Sequence, residues 1–158
     1  MANPAWHDNY LACYPSLVAR LKSIDAVKSV QEAKDLREVT DPDSKKTPLD
    51  GAVYVVLDAF TPTTDNANGS EQDFEIGFSV ILAKRNYTPD PAAGDTDLGA
   101  ALTAICKAVQ GFEPLADDGR ALTMTAFKNK PPMPIQYKKG FGFFPLRFTT
   151  TVAVISDN

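Results

Sequence analysis

Residues able to do acid–base, nucleophilic or metal chemistry are few in this chain and badly spaced for it. His7 is followed by Asp8, a pairing that can relay a proton, but it lies close to the N-terminus, where a lone surface histidine in a mobile tail is expected. Cys13 and Cys106 each fall among apolar residues in segments that read as helix, which suits two buried thiols in a reducing compartment. A disulfide between them requires the two helices to touch, with Cα atoms within about 7 Å. There is no Cys-x-x-Cys and only one histidine, so a zinc site has no ligand set. Asp90, Asp95 and Asp97 make an acidic run without the oxygen-ligand spacing or terminal glutamate of a calcium loop. Turn formation and helix capping account for it. No Gly-x-Ser-x-Gly turn is present, and Gly140-x-Gly142 lacks the third glycine and the helix of a phosphate loop. No catalytic residue, cofactor or metal is assigned.

One local feature stands apart. "KKGFGFF" places Lys138 and Lys139 before Phe141, Phe143 and Phe144. Basic residues beside aromatics can bind single-stranded nucleic acid. The chain is acidic overall, with a net charge of −4 and a pI near 4.9, which argues against a phosphate-binding stripe. Two readings remain: a strand entry with a glycine bulge, and a protein contact site, since aromatics are favoured in interface cores.

The elements that hold these residues are clearer than any chemistry. At 158 residues the chain is expected to be one domain, 1–158, with ordinary globular composition. It has no signal-peptide pattern and no apolar run long enough to span a membrane. Tyr10, Leu11, Tyr14, Leu17, Val18, Leu21 and Ile24 follow helical spacing and predict a helix over 8–23, with Pro15 either opening it or kinking it. A weak strand is expected near 27–33, then a polar loop over 35–50 that opens with a helical turn. "GAVYVVLDAF" (51–60) reads as a central strand, and 61–70, containing Asn68-Gly69, as a polar hairpin connection. "EQDFEIGFSVILAKRN" (71–86) alternates Phe74, Ile76, Phe78, Val80 and Leu82 against polar and small residues, for roughly twice the usual strand length. A loop over 86–97 leads to a second amphipathic helix, with Asp95 to Asp97 at its N-cap and Gly111 at its end. Strands are expected over 121–130 and 143–155, joined by the proline-rich arm "NKPPMPIQYKKGFG". The fold class is α+β: a mostly antiparallel twisted sheet, two amphipathic helices on one face, and long β-hairpin extensions.

The order of "YPSLVARLKSI", "GAVYVVLDAF", "EQDFEIGFSVILAKRN", "TDLGAALTAICKAVQGF", "ALTMTAF" and "FFPLRFTTTVAV" resembles the tail terminator proteins of long-tailed bacteriophages and phage-tail-like particles, in the branch of minor tail proteins of contractile phages. The resemblance covers nearly the whole chain and rests on order and texture; the arm at 129–139 departs from it. It implies a structural virion protein and not an enzyme. It implies a ring, commonly a hexamer, on the last ring of the tail tube, with the head connector, sheath or a collar as neighbours and DNA only in transit. A strand that overruns its core then offers an edge to a neighbouring subunit. On this reading Asp65, Asn68, Glu71 and Asp73 at the hairpin, and Lys138, Lys139, Phe141 and Phe143 at the arm, are the expected contact residues. Both groups are expected at one end of the sheet. The rival readings are a head–tail connector or other minor tail protein, and a small ligand-binding or enzymatic domain.

Overall fold

A computed structural model describes residues 4–85 and 96–157. Its element order is α1 (Tyr14–Lys22), β1 (Ser29–Glu32), α2 (Ala33–Thr40), β2 (Ala52–Asn66), β3 (Glu71–Arg85), α3 (Thr96–Val109), β4 (Lys128–Lys130), β5 (Gln136–Lys138) and β6 (Phe141–Ile155). The sheet has six strands in the order β1-β2-β3-β6-β4, with β5 also on β6. All pairings are antiparallel except β1 with β2. The framework is the trio β2, β3 and β6, each 15 residues long.

One face of this trio packs on α1 and α3. Val53, Val55, Ile76, Phe78, Val80, Leu82, Phe144 and Phe148 meet Leu17 and Leu21 of α1 and Leu98, Ala101, Ile105 and Val109 of α3. Pro15 opens α1 in its first turn, where its missing N–H costs nothing. The helix begins at Tyr14 rather than 8, because residues 10–13 form turns before it. Cys13 is therefore the residue before the helix, not part of it. The N-terminal segment is not a loose tail: Ala5–His7 form a 3-10 turn, and Ala5 and Trp6 pack against this core. Gly111, at φ 79°, ends the α3 region, and its N–H donates to the Phe127 carbonyl. Asp95 and most of the 86–97 loop lie outside the described residues.

The opposite face has its own helix. α2 starts with a capping box, in which the Glu32 N–H donates to Asp35 Oδ2 at 3.0 Å. It lays Leu36 and Val39 over Ala52, Tyr54, Ile81, Ala83, Phe141 and Phe143. The sequence reads as little more than a turn here because only two of its eight residues face apolar neighbours.

Three expectations change. The 61–70 connection is mostly strand: β2 runs on to Asn66, and only 67–70 turn. Residues 121–127 are not a strand. Thr150 Oγ1 donates to the Thr125 carbonyl (2.6 Å), and the Thr151 N–H donates to Thr125 Oγ1 (3.1 Å). One backbone bond to β6 remains, from the Met124 N–H to the Thr151 carbonyl, but hydroxyl bonds interrupt the ladder around it, leaving only Lys128–Lys130 as β4. Finally, the hairpin and the arm sit at opposite ends of the sheet. Glu71 is opposite Ile155 and Arg85 is opposite Phe141, so the two ends of β3 are about 46 Å apart at strand rise.

Candidate assembly surface

The β2–β3 hairpin leaves the helices behind at a β-bulge. Leu57 pairs with Phe78 and Ala59 with Gly77, so Asp58 is the extra residue. Its carboxylate accepts from Arg147 Nη2 at 3.1 Å, from Arg147 Nε and from the hydroxyl of the fully buried Ser79 at 2.5 Å. Gly77 is required at this crossing. A Cβ there would overlap the Asp58 carboxylate, and would sit 2.5 Å from Arg147 Nη2 and 3.1 Å from the Ala59 Cβ. Because two residues share one position, side-chain parity in β2 switches at the bulge. Phe60 thereby joins the face of α1 and stacks between Tyr10 and Phe74, with ring centroids 4.1 Å away on both sides.

Beyond that stack no α-helix among the described residues covers the sheet. β1 pairs only with Ala52 to Val55, so the outer edge of β2 from Val56 to Asn66 has no strand partner among the described residues. Pro62 lies on this edge, where the absent N–H breaks no ladder bond. Asp65 and Asn68 are exposed on the hairpin, and Asn68 takes φ 58° in the turn. Glu71 and Asp73 are half-buried at the start of β3. Asp73 Oδ1 is buried and has no hydrogen-bond partner among the described residues.

At the other end, Lys139 and Gly140 both have positive φ, 54° and 78°, and Lys138 pairs with Phe141. This is a two-residue type I′ turn rather than a glycine bulge. Lys138 and Lys139 are exposed, and Lys139 Nζ donates to the Ser44 carbonyl at 2.9 Å. Phe141 and Phe143 are only 5% and 4% exposed, packed in the α2 core. Their rings are structural and are not offered to a partner. Strand alternation points them at α2, a helix that the sequence barely signals. The exposed apolar residues of the arm are instead Met133, Ile135 and Tyr137. The expected contact residues therefore fall into two groups, one at each end of β3.

Sequence reasoning also missed the Asp58–Arg147–Ser79 cluster and the Tyr10–Phe60–Phe74 stack. The signal of the first was an aspartate and an arginine set inside apolar stretches of β2 and β6. Chemistry is sparse elsewhere. A groove of about 100 Å³ between α2 and the arm is lined by Leu36, Ile81, Met133 and Phe143 among others, with no ionisable side chain. Among the described residues, no group of three His, Cys, Asp or Glu side chains gathers in metal-binding range. Burial pushes the Cys13 thiol up to about 11, which keeps it protonated. Both cysteines are free thiols. No helix among the described residues is long and apolar enough to cross a membrane.

The family model for phage tail terminator proteins matches residues 7–158, nearly the entire chain. The chain belongs to the phage tail terminator family. The match covers the whole sheet, α1 to α3, and both extensions, so this tail terminator family member is a structural component of a phage-type tail. No curated protein matches it. Among solved structures it is similar to a chain from "Virion of native gene transfer agent (GTA) particle", at 16% identity and a TM-score of 0.49, covering 92% of this chain and 94% of that one. The assignment rests on the family match alone.

Proposed function

We propose that this protein is the terminator itself: about six copies form a ring on the last ring of the tail tube, stop its growth and present the surface that joins the head-side connector or a collar. The observation that carries this reading is the outer edge of β2 from Val56 to Asn66, which has no strand partner among the described residues and lies on a hairpin that overruns the helices. An unpaired edge and an uncovered sheet face favour strand addition by, or packing against, a neighbouring chain. A contact between different patches on successive copies closes into a ring when the rotation per copy permits. The tube protein lies below such a ring, and the sheath and the head-side connector lie around and above it. DNA passes through the lumen without being held. The acidic balance of the chain suits that, because a negative wall does not retain phosphate. The expected inner wall carries more carboxylates than amines.

The test adds purified protein to polymerising tube protein. Growth stops at substoichiometric amounts, and light scattering on the capped ends or on the free ring gives a mass near six copies, about 103 kDa for a 17.1 kDa chain. Unchanged tube growth, with the protein absent from the tube ends, would remove the capping role.

A further inference from the structure

Charge is segregated along this chain in a way the fold turns into two poles. From Leu49 to Ala83 the charged residues are all acidic: Asp50, Asp58, Asp65, Glu71, Asp73 and Glu75. From Ala121 to Ser156 they are all basic: Lys128, Lys130, Lys138, Lys139 and Arg147. At one end of β3, Glu71, Asp73 and Glu75 alternate along the strand and so share a face. Their paired neighbours are Asn66 and Thr61 on β2 and Ile155, Ala153 and Thr151 on β6, none of them basic. Asp65 stands exposed at the same end of the hairpin but on its other face, opposite Gln72. At the other end, Lys84 and Arg85 pair with Gly142 and Phe141, which pair in turn with Tyr137 and Lys138. Lys139 adds its charge to that group while its Nζ donates to the Ser44 and Lys46 carbonyls. The Asp50 carboxylate is close by, but it accepts the Arg85 backbone N–H. Among the described residues, no ion pair involves Lys84, Lys138 or Lys139.

Each pole also carries exposed apolar side chains: Val154 and Ile155 beside the carboxylates, Met133 and Ile135 beside the lysines. Within one copy the poles are about 46 Å apart, several times the screening length of about 8 Å in physiological salt, so they cannot satisfy one another. We propose that they satisfy each other between copies: the acidic hairpin end of one subunit docks on the basic arm end of the next. This assigns the partner and polarity of the subunit contact, and it rests on the ring reading above. Such a contact joins two different patches, so it is heterologous and propagates around a ring. The charges steer and orient the encounter, while the apolar side chains supply the buried area. Asp73 Oδ1, buried without a partner in the single copy, gains a donor from the arriving lysines.

Two charge-reversed variants and their mixture test this. Asp65→Lys, Glu71→Lys and Glu75→Lys together make the hairpin end basic, with only Asp73 left acidic; Lys84→Glu, Lys138→Glu and Lys139→Glu together make the arm end acidic, with only Arg85 left basic. Light scattering at low salt is expected to give an oligomer for the native chain, single chains for each variant, and a restored oligomer for the equimolar mixture, whose copies can only alternate. Raising the salt to about 0.5 M weakens the native assembly. If either variant loses its cooperative thermal transition, the milder pairs Asp65→Asn with Glu71→Gln and Lys84→Gln with Lys138→Gln replace them, with assembly about tenfold weaker expected from each. Variants that assemble like the native chain, or a mixture of folded variants that stays monomeric, overturn the pole-to-pole contact and leave the ring standing. A native chain that is monomeric at millimolar concentration and single-copy on tail ends overturns the ring reading and this contact with it.

Discussion

Replacing Asp58 with alanine removes the lock at the bulge, and its cost follows from the groups left behind. The carboxylate takes three donors: Nε and Nη2 of Arg147 and the hydroxyl of Ser79. Hydrogen bonds to a charged group contribute about 1.5–3 kcal/mol each when buried. The Asp58 and Arg147 side chains are 19% and 24% exposed, so solvent screens the ion pair and its share is reduced. Ser79 is fully buried, and it loses its acceptor. A stranded buried hydroxyl alone costs about 1–3 kcal/mol. Together the loss is about 2–3 kcal/mol, or roughly 5–10 °C in Tm for a chain of this length. Arg147→Met and the double variant complete a thermodynamic cycle, with an expected coupling of about 1–2 kcal/mol. Hydrogen exchange adds a structural readout. Amides of β2 beyond Ala59 exchange faster in Asp58→Ala, because the bulge no longer fixes the register, while those of Val53 to Val55 do not. Additive single losses within about 0.5 kcal/mol, with unchanged exchange beyond the bulge, would refute the lock.

Further outcomes follow from the same geometry. Phe60→Ala removes the middle ring of the Tyr10–Phe60–Phe74 stack, for an expected loss of about 2–3 kcal/mol with exchange faster in the hairpin than elsewhere, read by denaturant melts and hydrogen exchange. Phe141→Ser combined with Phe143→Ser opens the α2 core and costs upwards of about 4 kcal/mol, measured by urea titration; a double variant with native stability would return both rings to the surface. Burial raises the titration of Cys13, Tyr14 and Tyr54, so all three are neutral in the fold. The Cys13 contribution to stability is complete below the ordinary thiol value of 9.0 and is lost as pH rises towards about 11, so thermal melts fall through that window. At pH 8 iodoacetamide reacts with the partly exposed Cys106 well before Cys13, as mass spectrometry of the tryptic peptides will show.

What the sequence revealed and concealed follows from how far each signal is local. Strand β3 is legible from end to end because its apolar residues alternate without a break. α3 is legible because Leu98, Leu102, Ile105 and Val109 keep helical spacing. β1 was weak but present, since only its parallel pairing with the strong β2 holds it. The sequence shows α2 only as a helical turn opening a polar loop, because its amphipathic stripe is two side chains wide. The assignment of Phe141 and Phe143 to a contact surface failed for the same reason: the helix that covers them was not visible. The alternation at 121–127 misled because threonine side chains there bond to backbone groups instead of forming a ladder. The parity switch at Asp58 could not be read from periodicity, since a bulge is defined by its partner strand. The acidic hairpin and basic arm were visible as residues, but their placement at opposite ends of β3 requires the register of β3 on β6.

The most direct measurement of the central claim is the length distribution of tails from particles lacking this protein, by negative-stain electron microscopy with complementation. The account predicts tails of heterogeneous length running beyond the native one, without heads or collars, and recovery of uniform joined tails when the native chain is resupplied. Tails of native length joined normally to heads in its absence would contradict it.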